Sequence, residues 1–316
     1  MTKKKDTIFF VGIGGIGVSA LARLFLHRGY RVLGCDLHHS QITDNIKKIG
    51  CNVSIGDYDG DIRAAGVSHV IYTPAAPMNH PVLKQARNAD IPLESYPEAL
   101  GALSVAHHTI AVSGMHGKST TTAMLGIMLE QCGLDPLVIV GTLVPQWKSN
   151  VRMPTKNQGK RGVFVVEADE YKSAMLHLSP DIIVLTRVEE DHLDYFKNIE
   201  HIKREFKKYV RKVPKDGFVV INGQDKNIRE IARLLHCSIV RYNRKEDEGI
   251  KQRIKKILKV PGEHNVENAL GVFHVGKILG LKDQQILNGL AKFRGTWRRM
   301  EEVGKFKVQS SKFKVK

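Results

Sequence analysis

The sequence predicts an α/β protein in which an N-terminal Rossmann-like parallel-sheet domain is followed by a central α/β domain with a P-loop. Short apolar strands alternate with amphipathic helices along the chain, which favours parallel sheets covered by helices. A glycine-rich turn follows the first strand, and a second glycine loop follows a strand near residue 110. At 316 residues the chain is long enough for two domains of this kind.

The first domain is predicted over residues 1–100. Its apolar run at residues 7–12 is typical of a buried strand, and the glycine turn after it leads into a helix over residues 17–28. Further strands are predicted at residues 31–36 and 67–73. The pattern starts again between Leu93 and His107, where we expect the domain boundary.

The second domain is predicted over residues 101–301 and repeats the same alternation. Its strands are expected at residues 109–113, 163–167, 181–188, 218–222 and 238–242, and its helices at residues 118–132, 199–213, 265–279 and 283–293. Residues 146–161 are polar and contain Pro154 and Gly159, which predicts an exposed loop.

A short basic tail covers residues 302–316. Its residues 305–308 recur as residues 312–315, which is consistent with a hairpin of two basic strands. A helix-rich α/β domain rarely stops so abruptly, so truncation or a shifted reading frame is the alternative interpretation of this tail.

The composition, with 42% hydrophobic and 26% charged residues, is typical of a soluble globular protein, and we expect it in the cytoplasm without a membrane partner. The net charge is +17, but the lysines fall mainly in helical stretches without interleaved aromatics. That pattern favours a solvated basic face over a nucleic-acid partner. The four cysteines lack paired spacing and are expected to be buried, reduced thiols: Cys35, Cys51, Cys132 and Cys237.

The first glycine loop fits the pattern G-x-G-x-x-G, follows a predicted strand and opens a helix; it reads Gly12-Ile13-Gly14-Gly15-Ile16-Gly17. Its glycines allow a pyrophosphate to approach the N-terminus of that helix closely. Asp36 ends the second strand, where an acidic side chain commonly binds ribose hydroxyls. A nicotinamide dinucleotide would also fit this pattern, as would a turn that only packs a helix on a strand.

The second glycine loop reads Gly114-Met115-His116-Gly117-Lys118-Ser119-Thr120 and lies between a strand and a helix. Its backbone N–H groups can bind phosphates, Lys118 can neutralise the β and γ oxygens, and Ser119 can hold Mg²⁺. Val112 stands where the usual motif has its first glycine. The strand, loop and helix context still predicts a nucleotide-phosphate site.

Acidic residues end two further strands of the second domain. Glu167-Ala168-Asp169-Glu170 follows one apolar strand, where a carboxylate can reach the metal of a phosphate-transferring enzyme. Residues 189–194 follow the next and include His192 among carboxylates, a plausible Mg²⁺ neighbour. Either cluster alone could be a solvated strand end. Together with the P-loop they predict a ligand site at the carboxyl edge of the sheet.

These motifs together resemble the Mur ligase family, which adds amino acids to the peptidoglycan precursor. The matching residues run from about Thr7 to Glu301 and include VGIGGIGVSAL at 11–21, GMHGKSTTTA at 114–123, EADE at 167–170, EEDHLDY at 189–195, PGEHNVENAL at 261–270 and FRGTWRRME at 293–301. The N-terminal glycine loop favours the member that joins L-alanine to UDP-N-acetylmuramate.

The resemblance implies a role for each matching site residue. Gly14, Gly15, Ile16, Gly17 and Asp36 would bind the UDP-sugar, and the loop from Gly114 to Thr120 would bind ATP. Ser119, Glu167 and His192 would arrange Mg²⁺, and Lys118, Glu167 and His192 would be catalytic. His264, Asn268, Arg298 and Arg299 would contact the nucleotide. The implied reaction is ATP-dependent amide formation through an acyl phosphate.

The chain departs from the family pattern at two positions and in its length. Lys172 stands where an acidic residue is usual, and Arg187 replaces an asparagine, so contacts to the sugar substrate are the most affected. The third domain of the family, which binds the amino acid, is expected to begin just after Glu301. A related peptide-recycling ligase, a non-catalytic nucleotide-binding remnant and a nicotinamide-dependent dehydrogenase are the alternatives.

Overall fold

The computed structural model describes residues 6–156, 161–192, 195–233 and 235–297, and it contains two sheets. The first sheet has five parallel strands: β1 (Thr7–Val11), β2 (Arg31–Asp36), β3 (Asn52–Ile55), β4 (Val67–Tyr72) and β5 (Leu93–Ser95). Their order is β3-β2-β1-β4-β5, so the connection reverses direction at β1. The helices of this part are α1 (Ile16–His27), α2 (Gln41–Lys48), α3 (Pro81–Asn88) and α4 (Tyr96–Ala106).

The second sheet has seven strands: β6 (His108–Ser113), β7 (Leu137–Val144), β8 (Ser149–Arg152), β9 (Val163–Glu167), β10 (Ile182–Leu185), β11 (Phe218–Asn222) and β12 (Ser238–Tyr242). Their order is β12-β11-β10-β6-β9-β7-β8, and only the β7–β8 pair is antiparallel. The helices are α5 (Lys118–Gln131), α6 (Ile199–Val210), α7 (Lys226–Ile231), α8 (Glu248–Ile257), α9 (Glu263–Ile278) and α10 (Asp283–Leu290), with 3-10 segments at Tyr171–His177 and Lys245–Asp247.

The two central strands, β1 and β6, are almost entirely buried because helices cover both faces of each sheet. Helix α5 lies on β7 and contacts α9 and α10, and nearly all of its side chains are buried. Gly289 of α10 allows that helix close to α5, since a Cβ atom there would lie 3.0 Å from the Met128 Cα atom. The helix after the P-loop is therefore held from several sides.

The predicted α/β class is confirmed, and the strands predicted at residues 31–36, 163–167, 218–222 and 238–242 have the same bounds in the structure. The strand expected at residues 181–188 is shorter, because residues 186–188 leave the sheet to support the glycine loop after β6. The predicted boundary region at residues 93–107 holds α4, which leads from the last strand of the first sheet to β6. The predicted tail hairpin and Arg298 and Arg299 lie outside the described residues.

The prediction of an exposed loop over residues 146–161 is wrong, because strand β8 lies within this range. Polar residues are buried here since their partners are also polar: Arg152 forms ion pairs with Asp135 at 2.6 Å and Glu130 at 3.2 Å. Asn150 is fully buried, and its amide donates to the Ile16 carbonyl and to Ser19 Oγ of α1. Strand β8 thus attaches the second sheet to the helix that follows the first glycine loop.

The structure also bears on the expectations for the cysteines and for membrane-spanning helices. The four cysteines are free thiols, but only Cys35 and Cys51 are fully buried, whereas Cys132 and Cys237 are half-buried. Burial raises the pKa of the Cys51 thiol to about 11. Among the helices that the structure describes, none is both long and apolar enough to span a bilayer.

Candidate nucleotide and acceptor site

The loop between β6 and α5 has a backbone that only glycine tolerates at two positions. Gly114 has a φ of 132° and Gly117 a φ of 85°, both in a region that other residues rarely adopt. A Cβ atom on Gly114 would collide with Thr186 Oγ1, and one on Gly117 would lie 2.9 Å from Asn268 Oδ1. The loop therefore lies tightly between the end of β10 and helix α9, directly before the N-terminal end of α5, which is the position of a phosphate-binding loop.

Lys118 is the first residue of α5 and folds back over the loop. Its Nζ atom donates to the carbonyl oxygens of Gly114 at 2.8 Å and Met115 at 3.3 Å. It also donates to Glu170 Oε1 at 2.7 Å, so the two charges form an ion pair. The Lys118 side chain is 12% exposed and that of Glu170 is 0% exposed, so the phosphate-loop lysine is paired with a buried carboxylate.

Ser119 and Glu167 are in direct contact at the same edge of the sheet. The buried Ser119 hydroxyl donates to Glu167 Oε1 at 2.9 Å, and the Gly141 backbone N–H donates to Glu167 Oε2 at 2.7 Å. Ser119 is the second residue of α5, and Glu167 ends β9, the strand beside β6. A hydroxyl and a carboxylate are ligands that Mg²⁺ accepts, and this ion usually keeps several waters and uses phosphate oxygens for the rest.

His192 lies next to Glu170 and has a left-handed backbone with a φ of 49°. Its Nε2 atom is 3.5 Å from Glu170 Oε1, the oxygen that also accepts from Lys118. The other oxygen, Glu170 Oε2, is buried and has no hydrogen-bond partner within the described part of the chain. Burial raises the pKa of the Glu170 carboxyl, and the Lys118 ammonium opposes that rise.

The predicted metal set of Ser119, Glu167 and His192 therefore lies in two neighbouring groups. Ser119 and Glu167 touch, while His192 touches Glu170. The described residues contain no group of three or more His, Cys, Asp and Glu side chains close enough to hold an ion by themselves. The sequence contained Glu170 in its acidic cluster, but nothing in the pattern distinguished its role from that of Glu167.

The segment after β10 is hydrogen-bonded to the glycine loop between β6 and α5. The Met115 backbone N–H donates to the Arg187 carbonyl at 2.7 Å, and Thr186 Oγ1 donates to the His116 carbonyl at 2.5 Å. His116 Nε2 and Glu189 Oε1 are 2.9 Å apart on the surface. Arg187 supports the loop through its backbone carbonyl, and its side chain is exposed.

Two of the four residues expected to contact the nucleotide lie on α9. Asn268 is buried and touches Gly117, which places its amide at the end of the phosphate loop. His264 is exposed one turn earlier, at the start of the helix, where its ring lies against Gly262. A shared helix face near the loop is compatible with the expected contacts, which stay predictions.

The first glycine loop is held by Asp36. The Gly14 backbone N–H donates to Asp36 Oδ2 at 2.8 Å, and the His38 backbone N–H donates to Asp36 Oδ1 at 3.2 Å. Gly15 caps α1 without a side-chain hydrogen bond. Gly17 lies beneath the Tyr96 ring, since a Cβ atom there would be 2.5 Å from Tyr96 Cζ. Asp36 thus orders the loop, in addition to the ligand contact expected from the sequence.

A cavity of about 700 Å³ lies between the first glycine loop and the end of β9. One wall comes from the first sheet and includes Ile16 and Gly17 of the first loop; the other comes from the second sheet and includes Glu167. Tyr96 also lines this cavity, and burial together with Glu167 and Asp169 raises the pKa of its hydroxyl. The remaining lining residues are largely apolar, among them Tyr72, Pro74, Met78, Leu100, Ile139 and Met175.

The chain therefore has one parallel and one almost entirely parallel sheet, and a glycine loop follows the central strand of each. The second loop carries the P-loop lysine, and the end of β9 beside it lines a cavity that reaches the first loop. These features define an α/β nucleotide-dependent enzyme. The model of the Mur ligase family catalytic domain matches residues 7–108, and that of the Mur ligase middle domain matches residues 112–276. The chain belongs to the Mur ligase family, whose members are ATP-dependent ligases. The predicted resemblance is confirmed.

Individual relatives agree with this assignment. A UDP-N-acetylmuramate–L-alanine ligase of Caldicellulosiruptor bescii is 37% identical over 320 residues, which is 94% of this chain and 69% of that protein. The structure of a UDP-N-acetylmuramate–alanine ligase of Thermotoga maritima is 26% identical with a TM-score of 0.75 and covers 93% of this chain and 70% of that one. A Neisseria ligase for L-alanyl-γ-D-glutamyl-meso-diaminopimelate shares the fold, with a TM-score of 0.81 at 23% identity, covering 93% of this chain and 100% of that one.

Proposed function

We propose that this chain joins L-alanine to the carboxylate of UDP-N-acetylmuramate at the expense of ATP, in cytoplasmic synthesis of the peptidoglycan precursor. The observation that carries the proposal is the position of Glu167. Its Oε1 atom accepts a hydrogen bond from Ser119 of the phosphate loop, and the same side chain lines the cavity that reaches the first glycine loop. A carboxylate acceptor in that cavity would therefore meet the γ-phosphate of ATP at Glu167.

The two glycine loops would divide the binding of the substrates. Gly14, Gly15, Ile16 and Gly17 present the N-terminus of α1 to the diphosphate of the UDP-sugar. The loop from Gly114 to Thr120 presents the N-terminus of α5 to the phosphates of ATP. The side chains of Asn268 and His264, with Arg298 and Arg299, would contact the rest of the nucleotide.

The chemistry is the approach of two anions, and the residues at the loop reduce their repulsion. The acceptor carboxylate oxygen attacks the γ-phosphorus, the bond from that phosphorus to the ADP oxygen breaks, and an acyl phosphate forms. Lys118 neutralises charge on the phosphate oxygens, which stabilises the transition state. When bound, Mg²⁺ supplies further positive charge, and Ser119 and Glu167, with His192 nearby, are the residues that would hold it.

The second step transfers the acyl group to the amine. The L-alanine nitrogen attacks the acyl carbon, the bond to phosphate breaks, and the nitrogen loses a proton as the amide forms. Lys118 must give up at least one of its present contacts to bind phosphate in the first step, because its three N–H donors already have three acceptors: Gly114, Met115 and Glu170. If Lys118 gives up Glu170, the His192 ring remains beside that carboxylate and can share its negative charge.

The test is phosphate release from ATP by the purified chain with Mg²⁺ and UDP-N-acetylmuramate, with and without L-alanine. Release that needs both the sugar nucleotide and L-alanine supports the ligase, and Lys118→Ala should abolish it. Lys84→Ala is the matched control, since Lys84 is an exposed lysine on α3, away from both loops. Phosphate release that needs a peptide in place of L-alanine would support a recycling ligase. Tight ATP binding without phosphate release would indicate a binding protein. A chain that does not bind ATP would reject the proposal.

A further inference from the structure

Within the described part of the chain, Lys172 is a cation without an ion-pair partner on the wall of the cavity that joins the first glycine loop to the end of β9. Among the described residues that line the cavity, it carries the one lysine or arginine side chain. Its side chain is exposed and forms no ion pair in the described structure; its Nζ atom lies 5.6 Å from the centre of the Tyr171 ring. A free ammonium group in a largely apolar cavity is available for an anionic ligand.

The backbone at Lys172 is held in an unusual conformation. Lys172 has φ 50° and ψ 29°, and Ser173 has φ 57° and ψ 27°, so two consecutive residues other than glycine are left-handed. Ser173 is fixed by its neighbours: its Oγ atom donates to Glu205 Oε2 at 2.9 Å, and its backbone N–H donates to the Glu170 carbonyl at 2.9 Å. Strained turns that are held in this way cluster at ligand sites.

The charge of the cavity wall explains why a cation is useful there. Glu167 and Asp169 line the same wall as Lys172, and their negative charges would repel an incoming carboxylate. The opposite wall contains Ile16 and Gly17 of the loop assigned to the diphosphate. A nucleotide sugar held by its diphosphate at that wall would extend its other end across the cavity towards Glu167 and Lys172. In the proposed substrate that end carries the reacting carboxylate.

We propose that the Lys172 ammonium binds the carboxylate of the acceptor, so that this residue makes the cavity selective for a nucleotide sugar that carries a carboxylate on its sugar over one that does not. The inference rests on the proposed function, which supplies the acceptor.

The experiment measures binding of two nucleotide sugars by titration calorimetry: UDP-N-acetylmuramate and UDP-N-acetylglucosamine, which lacks the lactyl ether and with it the carboxylate. Lys172→Asn removes the charge while asparagine tolerates the left-handed backbone, and Lys172→Gly is a second neutral variant with the same tolerance. Lys172→Arg keeps the charge. Lys84→Asn is the surface control.

The expected result is that both neutral variants bind UDP-N-acetylmuramate about tenfold more weakly, which corresponds to about 1.4 kcal/mol, and bind UDP-N-acetylglucosamine as the wild type does. Lys172→Arg and Lys84→Asn should resemble the wild type for both ligands. Equal weakening for the two ligands, or none for either, would overturn the inference while leaving the ligase intact. A wild-type protein that binds neither nucleotide sugar would overturn the proposed function as well.

Discussion

Replacement of Glu170 by glutamine tests whether the ion pair beneath the phosphate loop organises that loop. The substitution keeps the shape of the side chain and removes its charge. In the native protein Glu170 Oε1 lies 2.7 Å from Lys118 Nζ, and the Glu170 side chain is fully buried. The neutral variant leaves the Lys118 ammonium beside two carbonyl oxygens and an amide, without a compensating charge.

The size of the effect follows from the geometry. With an effective dielectric constant of about 20, two unit charges at this separation attract each other by about 6 kcal/mol. Desolvation of both ions opposes several kcal/mol of that attraction, and removal of one partner from a buried pair costs about 3–5 kcal/mol. Because glutamine can still accept one hydrogen bond and Lys118 keeps its carbonyl partners, we expect a loss of about 2–3 kcal/mol in the free energy of unfolding.

The assay is equilibrium denaturation in urea, followed by circular dichroism, for the wild type, Glu170→Gln, Lys118→Met and the double variant. The double variant should lose less stability than the two single variants lose together, because it leaves no buried charge unpaired. ATP should raise the stability of Glu170→Gln more than that of the wild type, since phosphate then supplies the missing negative charge. A single-variant loss below about 0.5 kcal/mol, or additive losses in the double variant, would refute the reasoning.

Three further predictions concern the phosphate loop and the contacts of strand β8. Gly117→Ala should lose ATP binding and about 1–3 kcal/mol of stability, because φ is 85° and the new Cβ atom would lie 2.9 Å from Asn268 Oδ1; titration with ATP and thermal unfolding check this. Asn150→Ala should raise KM for the UDP-sugar with little change in KM for ATP, because the Asn150 amide holds the Ile16 carbonyl at the start of α1. Steady-state kinetics measures both constants, and an equal rise in the two would contradict this prediction. Burial disfavours the charged form of Asp135, but hydrogen bonds from Thr155, Arg152 and Lys156 outweigh it and hold the pKa of this carboxyl well below its usual range. A lowered native pKa adds stability that is present at neutral pH and is lost as the pH falls below about 4, so Asp135→Asn should be less stable at pH 7 and lose less stability on acidification, as measured by thermal unfolding from pH 7 to pH 3.

The sequence alone was sufficient for the features that depend on neighbouring residues. The apolar runs of β2, β9 and β11 are short, largely buried and bounded by turn residues, and the edge strand β12 is a short run between polar segments, so their limits could be predicted. The glycine loops were recognisable because a phosphate site requires glycines, a lysine and a helix start in a set order. Family membership was predictable for the same reason, since its motifs are local and appear in order along the chain.

The contacts between distant segments were decided by the tertiary structure. Residues 146–161 are polar and were expected to be exposed, but Asn150 and Arg152 are buried because α1, Asp135 and Glu130 supply their hydrogen-bond partners. Tyr96 was unremarkable in the sequence, and it became a cavity residue because α4 brings it over Gly17. No periodicity encodes which polar side chains meet when separate elements pack.

The acidic cluster after β9 shows the division most clearly. The sequence determined that carboxylates end this strand beside a phosphate loop, because strand ends in a parallel sheet share one edge. Only the tertiary structure assigned them separate environments: Glu167 contacts Ser119 and the cavity, Glu170 is buried against Lys118, and Lys172 is turned to the cavity by a left-handed backbone. The physical reason is that burial, charge pairing and backbone strain depend on what the rest of the chain places around each residue.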